Sequence, residues 1–323
     1  MNFLVTGCAG FIGFHTVKEL IKNKNHKVYG IDNINDFYSQ KLKNDRLKIL
    51  KKKSNFFFKK LDITSTKKLN NYLKNKKFKV VIHLAAQAGV RYSINNPRKF
   101  IMNNIIGFFN IIDISQKLNV KKFIYASSSS VYGDNNNQIN KEIDNTTKPL
   151  SIYSASKMTN ELIAHTYSNL YKMETIGLRF FTVYGEYARP DMFFSKLAMA
   201  IKEDKSISVF NNGNLYRDFT FVSDLVNCIV KLIKLRGIKT NNFEIYNIGN
   251  SKTVKLTKVI KTFEKYYNKK AKIHNSKLSK GEVIRTNSGM NKLKKIIKLK
   301  QFKNIDDGLS IFFRWHDDYY NDK

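Results

Sequence analysis

Three groups of residues in this chain have the types and spacing to do chemistry. The first is the run TGCAGFIG, where Gly7, Gly10 and Gly13 recur at every third position between an apolar run and a helical pattern. Glycine at the first position permits a tight strand-to-helix turn. At the second it lets the backbone approach a pyrophosphate, and at the third it lets the helix pack closely on the sheet. The helix start then offers free N–H groups and a positive dipole end to phosphates. The spacing is GxxGxxG rather than GxGxxG, and a triplet alone also fits a plain glycine-rich turn. Its context adds Asp32, nineteen positions beyond Gly13 at the end of the next apolar run. A carboxylate there can accept from ribose hydroxyls, which favours NAD over NADP, although a turn-forming aspartate would read the same. Asp62, followed by Ile63, ends a third run, where it could meet an adenine amine or cap a helix.

The second group is Tyr153 and Lys157, an i, i+4 pair on one face of a helix start. Positive charge near a phenol stabilises the phenolate, so the spacing predicts a lowered Tyr153 pKa and a general base. Such pairs also occur as surface decoration. The third group is Ser127 to Ser130, directly after the buried-strand run FIYA and before Val131-Tyr132-Gly133. Ligands bind outside the carboxyl ends of strands in open α/β sheets, so these hydroxyls stand at a candidate site. Otherwise they form a serine-rich loop.

These groups need elements to position them. Apolar runs predict strands at Phe3–Thr6, Lys27–Ile31, Phe56–Lys60, Lys79–Leu84, Phe123–Ala126 and Ile176–Phe180. Helical spacing covers Thr16–Lys22, Phe100–Leu118 and Ser154–Tyr171. The alternation predicts an α/β fold, a Rossmann-type doubly wound parallel sheet with helices on both faces. Beyond Gly185 the pattern gives a turn at Arg189-Pro190-Asp191, a helix at Phe193–Ile201 and a strand at Ser206–Phe210. A hairpin-like turn at Asn211–Asn214, a helix at Asp224–Leu235 and a strand at Phe243–Ile248 follow. The Lys-rich C-terminal stretch is ambiguous. The expected division is a nucleotide-binding domain over 1–180, with some later segments returning to it. A smaller C-terminal α/β lobe, mainly 181–323, would bind substrate.

Composition narrows the classes. The chain has 323 residues, 42% hydrophobic, with three prolines and fifteen glycines, which excludes global disorder and collagen-like sequence. No apolar run is long enough for a membrane span, and the start lacks a basic targeting region. Cys8 and Cys228 form no disulfide framework, so a reducing, cytoplasmic setting is expected. The net charge of +33 could serve nucleic acid, an anionic membrane surface or an anionic substrate. The lysines are scattered, as on solvated faces. Aromatics sit in apolar runs rather than interleaved with basic residues, as an RNA platform would have them. Neither a nucleic-acid nor a membrane partner is expected. His15, His26, His83 and His165 show no metal-ligand spacing with either cysteine, so no metal is expected, and His83 reads as a core histidine.

TGCAGFIG, HLAAQAG (His83–Gly89), SSSSVYG, YSASK (Tyr153–Lys157) and RFFTVYG (Arg179–Gly185) occur in this order. Together they resemble the extended short-chain dehydrogenase/reductase family of nucleotide-sugar epimerases. The resemblance covers roughly residues 1–250 and continues more faintly to Tyr320. GIDNINDFY, AAQAGVRYSINNP and RFFTVYGEYARPDM are similar to the branch that interconverts UDP-glucuronate and UDP-galacturonate at C4. The resemblance implies NAD as cofactor, a UDP-sugar as substrate and a homodimer formed through the helices at Ile105–Ile114 and Thr159–Tyr171. It implies Tyr153, Lys157 and Ser128 as catalytic residues, Ser128 sharing the sugar O4 proton with Tyr153. Cofactor contacts are implied at Gly7, Gly10, Phe11, Ile12, Gly13, Asp32, Asn33, Asp62, Ile63, Leu84, Ala85, Ala86, Asn103 and Phe180, besides Tyr153 and Lys157. Substrate contacts are implied at Arg91, Ser128, Ser129, Thr182, Arg189 and Arg217. Thr182 and Arg189 would face the C6 carboxylate, and Arg217 the UDP phosphates. The implied chemistry is internal redox: a C4 hydride passes to NAD⁺, the 4-keto sugar turns over, and the hydride returns to its other face.

The chain departs from the family pattern near its C-terminus. It has Gly281-Glu282-Val283 in place of Gly-Asp-Val, Ser279 where relatives carry Gln or Arg, and Asn287-Ser288-Gly289 around a usual Ala-Asp. Related dehydratases carry an acidic pair after the catalytic hydroxyl, where this chain has Ser129-Ser130. Related decarboxylases carry Glu before Val-Tyr-Gly, where this chain has Ser130. The alternative substrate is UDP-N-acetylglucosamine or another UDP-hexose. Arg189 favours the uronic acid unless it is a structural arginine of its loop.

Overall fold

The computed structural model describes residues 1–134, 138–235, 242–278, 280–299 and 301–321; Ser279 lies outside them. The chain begins β1 (Asn2–Thr6), α1 (Phe11–Leu20), β2 (Lys27–Asp32), α2 (Gln40–Lys51), β3 (Phe56–Lys60), α3 (Thr66–Leu73) and β4 (Val80–His83). It continues α4 (Val90–Asn95), α5 (Pro97–Phe100), six residues of π-helix (Ile101–Ile106), α6 (Gly107–Lys117), β5 (Lys122–Ser128), α7 (Ile152–Tyr171) and β6 (Glu174–Phe180). The remainder is β7 (Thr182–Tyr184), α8 (Phe193–Lys202), β8 (Ser206–Phe210), β9 (Tyr216–Phe221), α9 (Val222–Lys234), β10 (Phe243–Ile248), β11 (Thr253–Lys255), α10 (Leu256–Tyr267), β12 (Lys272–Ser276), α11 (Asn291–Ile296) and α12 (Ile305–Asn321).

Seven strands form one sheet in the order β10-β6-β5-β4-β1-β2-β3, and every pairing is parallel. β4 is buried at all four positions and β5 at all but one, as strands covered by helices on both faces must be. The strand order reverses between β1 and β4, which opens a crevice at their carboxyl ends. β7, β9 and β11 make a second sheet, and β8 with β12 a third.

Four of the elements predicted from the sequence differ in the structure. α1 starts at Phe11 rather than Thr16, directly off the glycine loop. β5 runs on through Ser127 and Ser128, which pair with Arg179 and Phe180 of β6, so these two serines belong to the sheet. The single helix expected over Phe100–Leu118 contains the π-helical segment, whose wider turn no 3.6-residue pattern shows. Asn211–Asn214 does not close a hairpin: β8 pairs in parallel with β12, and β9 pairs with β7 and β11. Asn211 and Asn212 both adopt φ of 50°, which redirects the chain from one small sheet to another.

The ambiguous Lys-rich stretch folds as α10, β12, α11 and α12. Phe263 of α10 packs on Phe313 of α12, ring centroids 4.7 Å apart, and Tyr187 packs on Trp315 at 5.3 Å. Tyr319 donates to Asp45 of α2 at 2.7 Å. The inward face of α2 itself carries Lys43 and Arg46 beside Leu42, Leu47 and Leu50. Arg46 is fully buried and donates to the carbonyls of Ala9 and Tyr187 and to the Tyr38 hydroxyl. That one guanidinium cross-links the glycine loop to two other loops. No helix among the described residues is long and apolar enough to cross a membrane.

Candidate active site

A cleft of about 400 Å³ opens at the carboxyl ends of the strands. Its floor begins at the glycine loop. Gly7 has φ of 71°, and a Cβ there would sit 2.7 Å from the Ala85 nitrogen. A Cβ on Gly13 would sit 2.0 Å from the Gly7 oxygen, so the helix rests directly on the loop. Gly10 caps α1 without any side-chain hydrogen bond, which leaves the first-turn N–H groups of the helix at the cleft. Asp32 accepts from Ala9 N–H at 3.1 Å and Ile34 N–H at 2.9 Å, one bond per oxygen. Burial pushes its carboxyl up, and these bonds oppose the shift. Each oxygen keeps acceptor capacity toward the cleft. An uncapped helix start, a cradle that tolerates no Cβ and a carboxylate with free lone pairs together fit a dinucleotide such as NAD.

Phe11, Ile12, Asn33, Ile63, Leu84, Ala85, Ala86, Asn103 and Phe180 also line this cleft. Asp62 does not. Burial works against its charge, but bonds from the Asn33 amide and from Thr64 hold the carboxyl below its usual range. Lys43 lines the cleft and was not found from the sequence. Its ammonium donates to both oxygens of Asn35, and burial pushes it down to about 8. Two basic residues on the apolar stripe of a helix were the available signal.

The catalytic candidates come from two neighbouring elements. Ser151 and Ser154 form a capping box that starts α7, so Tyr153 lies in its first turn and Lys157 one turn further. Lys157 is buried and donates to the Ala126 carbonyl at 2.8 Å. Burial pushes it down to about 8, opposed by Glu161. Ser128 ends β5, and it lines the cleft together with Tyr153. The Ser128 oxygen accepts from the Ser130 N–H at 3.2 Å and the Ser130 hydroxyl at 2.9 Å. The Tyr153 pKa is not lowered by Lys157 as the spacing predicts. Burial pushes the phenol up, and the opposing influences are the Ser128 hydroxyl and the charge of Arg189.

Two buried residues tie these elements together, and the sequence reading singled out neither. Glu161 accepts from the Ser127 hydroxyl at 2.5 Å and from Arg179 at 2.9 and 2.8 Å, joining β5, β6 and α7. Asn104, within the π-helix, bonds both backbone groups of Gln87 and the Ser156 hydroxyl. It thereby fixes the cleft-lining loop after β4 to the first turns of α7.

Thr182 lies where the cleft meets two further cavities, of about 520 and 210 Å³. Arg91 lines the larger, Ser129 the smaller and Arg217 both. Glu282 stands between them and accepts from Arg91 and Arg217, each at 3.2 Å. Ser288 plays a different part: its hydroxyl donates to buried Asp218 at 2.6 Å and pins the C-terminal segment. Arg189 lines the main cleft with Tyr153, and both oxygens of Asp191 hold its guanidinium at 2.9 Å. His83 shares a 2.8 Å bond with Thr6 in the core. Among the described residues, no group of three or more His, Cys, Asp and Glu could hold a metal ion.

The family model for the NAD dependent epimerase/dehydratase family matches residues 3–249. The chain is 44% identical to protein CapI of Staphylococcus aureus, covering 99% of both chains. It is 35% identical to a probable UDP-glucuronate 4-epimerase of Rhizobium meliloti, covering 99% of this chain and 98% of that one. Among solved structures it matches UDP-glucuronic acid 4-epimerase from Bacillus cereus, in complex with UDP-glucuronic acid and NAD. That match has a TM-score of 0.91 and 32% identity, over 99% of this chain and 100% of the other.

Proposed function

The chain belongs to the NAD dependent epimerase/dehydratase family, and from that premise we propose that it is a UDP-glucuronate 4-epimerase whose catalytic residues are Tyr153, Ser128 and Lys157. The observation that carries this reading is the convergence of the Ser128–Tyr153 pair, Thr182 and Arg189 where a dinucleotide cleft meets the adjoining cavities. NAD, when bound, supplies reversible hydride transfer at the sugar C4.

The protein's own part is proton handling and orientation. Tyr153 exchanges the O4 proton. Ser128 receives two hydrogen bonds from Ser130, so its own proton is free to pass to the phenol or to the sugar oxygen. Lys157, anchored on Ala126, holds a positive charge beside the cleft. Arg189 and Thr182 take the C6 carboxylate, since a guanidinium grips a carboxylate through two parallel bonds. Arg217 and Arg91 suit the diphosphate. Glu282 lies between those arginines and keeps them paired. Ser129 and Ser130 leave an elimination step without an acid.

Proton NMR of the purified protein with UDP-glucuronate, without added NAD, tests this reading. The expected result is growth of a UDP-galacturonate anomeric signal. Turnover of UDP-N-acetylglucosamine alone would overturn the uronate assignment. No turnover of either sugar, with NAD supplied, would overturn the epimerase reading.

The same proposal takes 1–180, with returning strand β10, as the cofactor-binding unit and 181–323 mainly as the substrate lobe. It places the reaction in the cytoplasm, supported by two free, buried cysteines. It also includes a homodimer. Ile94, Ile101, Met102, Ile106 and Phe109 are exposed on and beside the helical segments before β5, and Leu162, Leu170 and Tyr171 on α7. Apolar faces of this extent mark association surfaces. Leu162, 67% exposed, has little to lose within one chain. Leu162→Glu is expected to halve the mass measured by sedimentation without unfolding the protein.

A further inference from the structure

Arg189 and Asp191 are neighbours in a short turn. Pro190 lies between them, and Met192 N–H closes the turn by donating to the Arg189 carbonyl at 3.1 Å. Proline fixes its own φ, which stiffens the backbone between the two residues, and the paired bonds of Asp191 hold the guanidinium against it. Asp191 accepts from Nε through one oxygen and from Nη2 through the other, both at 2.9 Å. A guanidinium has five N–H donors in a planar fork. Two are spent on Asp191. The second Nη2–H and the neighbouring Nη1–H form one further edge able to take a carboxylate bidentately, while the other Nη1–H points back along the side chain.

The two side chains also divide the space. Arg189 lines the cleft that holds Tyr153 and Ser128, whereas Asp191 lines the larger adjoining cavity. The pair is 22% and 31% exposed and already neutral, so a sugar without a carboxylate strands no charge there. Discrimination must therefore come from the second edge of the fork and from the plane in which that edge is held.

We propose that Asp191 is a positioning residue for uronate recognition: by occupying the Nε–Nη2 edge of Arg189, it presents a single two-donor edge, in a fixed plane, to the C6 carboxylate of the sugar. This rests on the reading that the substrate is a UDP-uronate. Asp191 acts through Arg189 and touches no reacting atom. Lysine at 189 has one ammonium and cannot serve Asp191 and the sugar in the same geometry.

The test is a double-mutant cycle on the full-length protein with its NAD: wild type, Asp191→Asn, Arg189→Lys and the double variant. The readouts are kcat/KM for UDP-glucuronate, and the Kd of UDP-glucuronate and of UDP-xylose, which has the same ring without C6. The expected result is a loss of tenfold or more in kcat/KM and a weaker Kd for UDP-glucuronate in Asp191→Asn. The Kd of UDP-xylose should stay within twofold. The double variant should be no worse than Arg189→Lys, because residues acting through one contact are not additive. An unchanged Asp191→Asn, full additivity with Arg189→Lys, or parallel weakening of UDP-xylose would each overturn the proposal. A wild type that binds UDP-glucuronate no tighter than UDP-xylose overturns both the uronate reading and this inference. A wild type that prefers UDP-glucuronate without inverting it removes only the epimerase reading, and the Kd arm of the cycle then decides the inference.

Discussion

Tyr153→Phe is expected to lower turnover of UDP-glucuronate by about 10²- to 10⁴-fold, the range that positioned proton transfer contributes. The protein should still fold and still carry its cofactor. The ring packs edge-on to Phe100 with centroids 6.0 Å apart, and phenylalanine keeps that contact. Only the hydroxyl is lost, and with it the group that would exchange the O4 proton beside Ser128. Burial already disfavours the phenolate, so removing the group strands no charge. The measurement is turnover beside a thermal melt and the 260-to-280 nm absorbance ratio of the purified variant. A loss below tenfold, with the melt unchanged, would mean that another group exchanges the O4 proton.

Gly13→Ala is expected to strip the protein of NAD and to destabilise it by at least the upper part of the ~1–3 kcal/mol usual for overpacking. The added Cβ would lie 2.0 Å from the Gly7 oxygen and 2.8 Å from the Gly7 carbonyl carbon. Both neighbours are backbone, so no side chain can turn aside. α1 must move off the loop, and its first-turn N–H groups move with it. Gly10→Ala makes a useful control, because its Cβ would meet the same oxygen at 3.0 Å. The glycine-to-alanine series should therefore rank position 13 well above position 10 in lost absorbance at 260 nm and in lowered Tm. A Gly13→Ala protein that purifies with NAD and melts like the wild type would refute the close packing of helix on loop.

The sheet was legible because its strands are short apolar runs. Phe56–Lys60 and Phe243–Ile248 fall where the apolar pattern put them. The helices with charged inward faces were not. α2 buries Lys43 and Arg46, and a hydrophobic pattern counts both as solvent-facing. α12 carries its apolar stripe among acids and tyrosines, in a stretch dominated by lysine. The π-helix escaped notice because six residues are too few to shift a period visibly.

Within the site, the residues that could be read were those whose chemistry is local: the glycine triplet, Asp32, and the Tyr153–Lys157 pair. The supporting residues could not, since their partners are remote in sequence. Glu161 bonds a serine 34 positions away, and Glu282 an arginine 191 positions away. Asp191 is only two positions from Arg189, yet the sequence shows two charges in a turn and not which edge of the fork is taken.

The Glu161–Arg179–Ser127 cluster also limits the routes by which this lineage can change. Removing one member of a buried ion pair typically costs ~3–5 kcal/mol, whereas replacing the whole pair by apolar groups is often neutral or better. Single substitutions at Glu161 or Arg179 therefore lead into a fitness valley, and only concerted replacement crosses it. Because the cluster joins β5, β6 and α7, descendants that adopt new sugars should retain it unaltered. Their diversification should fall instead on side chains such as Ser129, which lines the smaller cavity and lies outside these buried pairs.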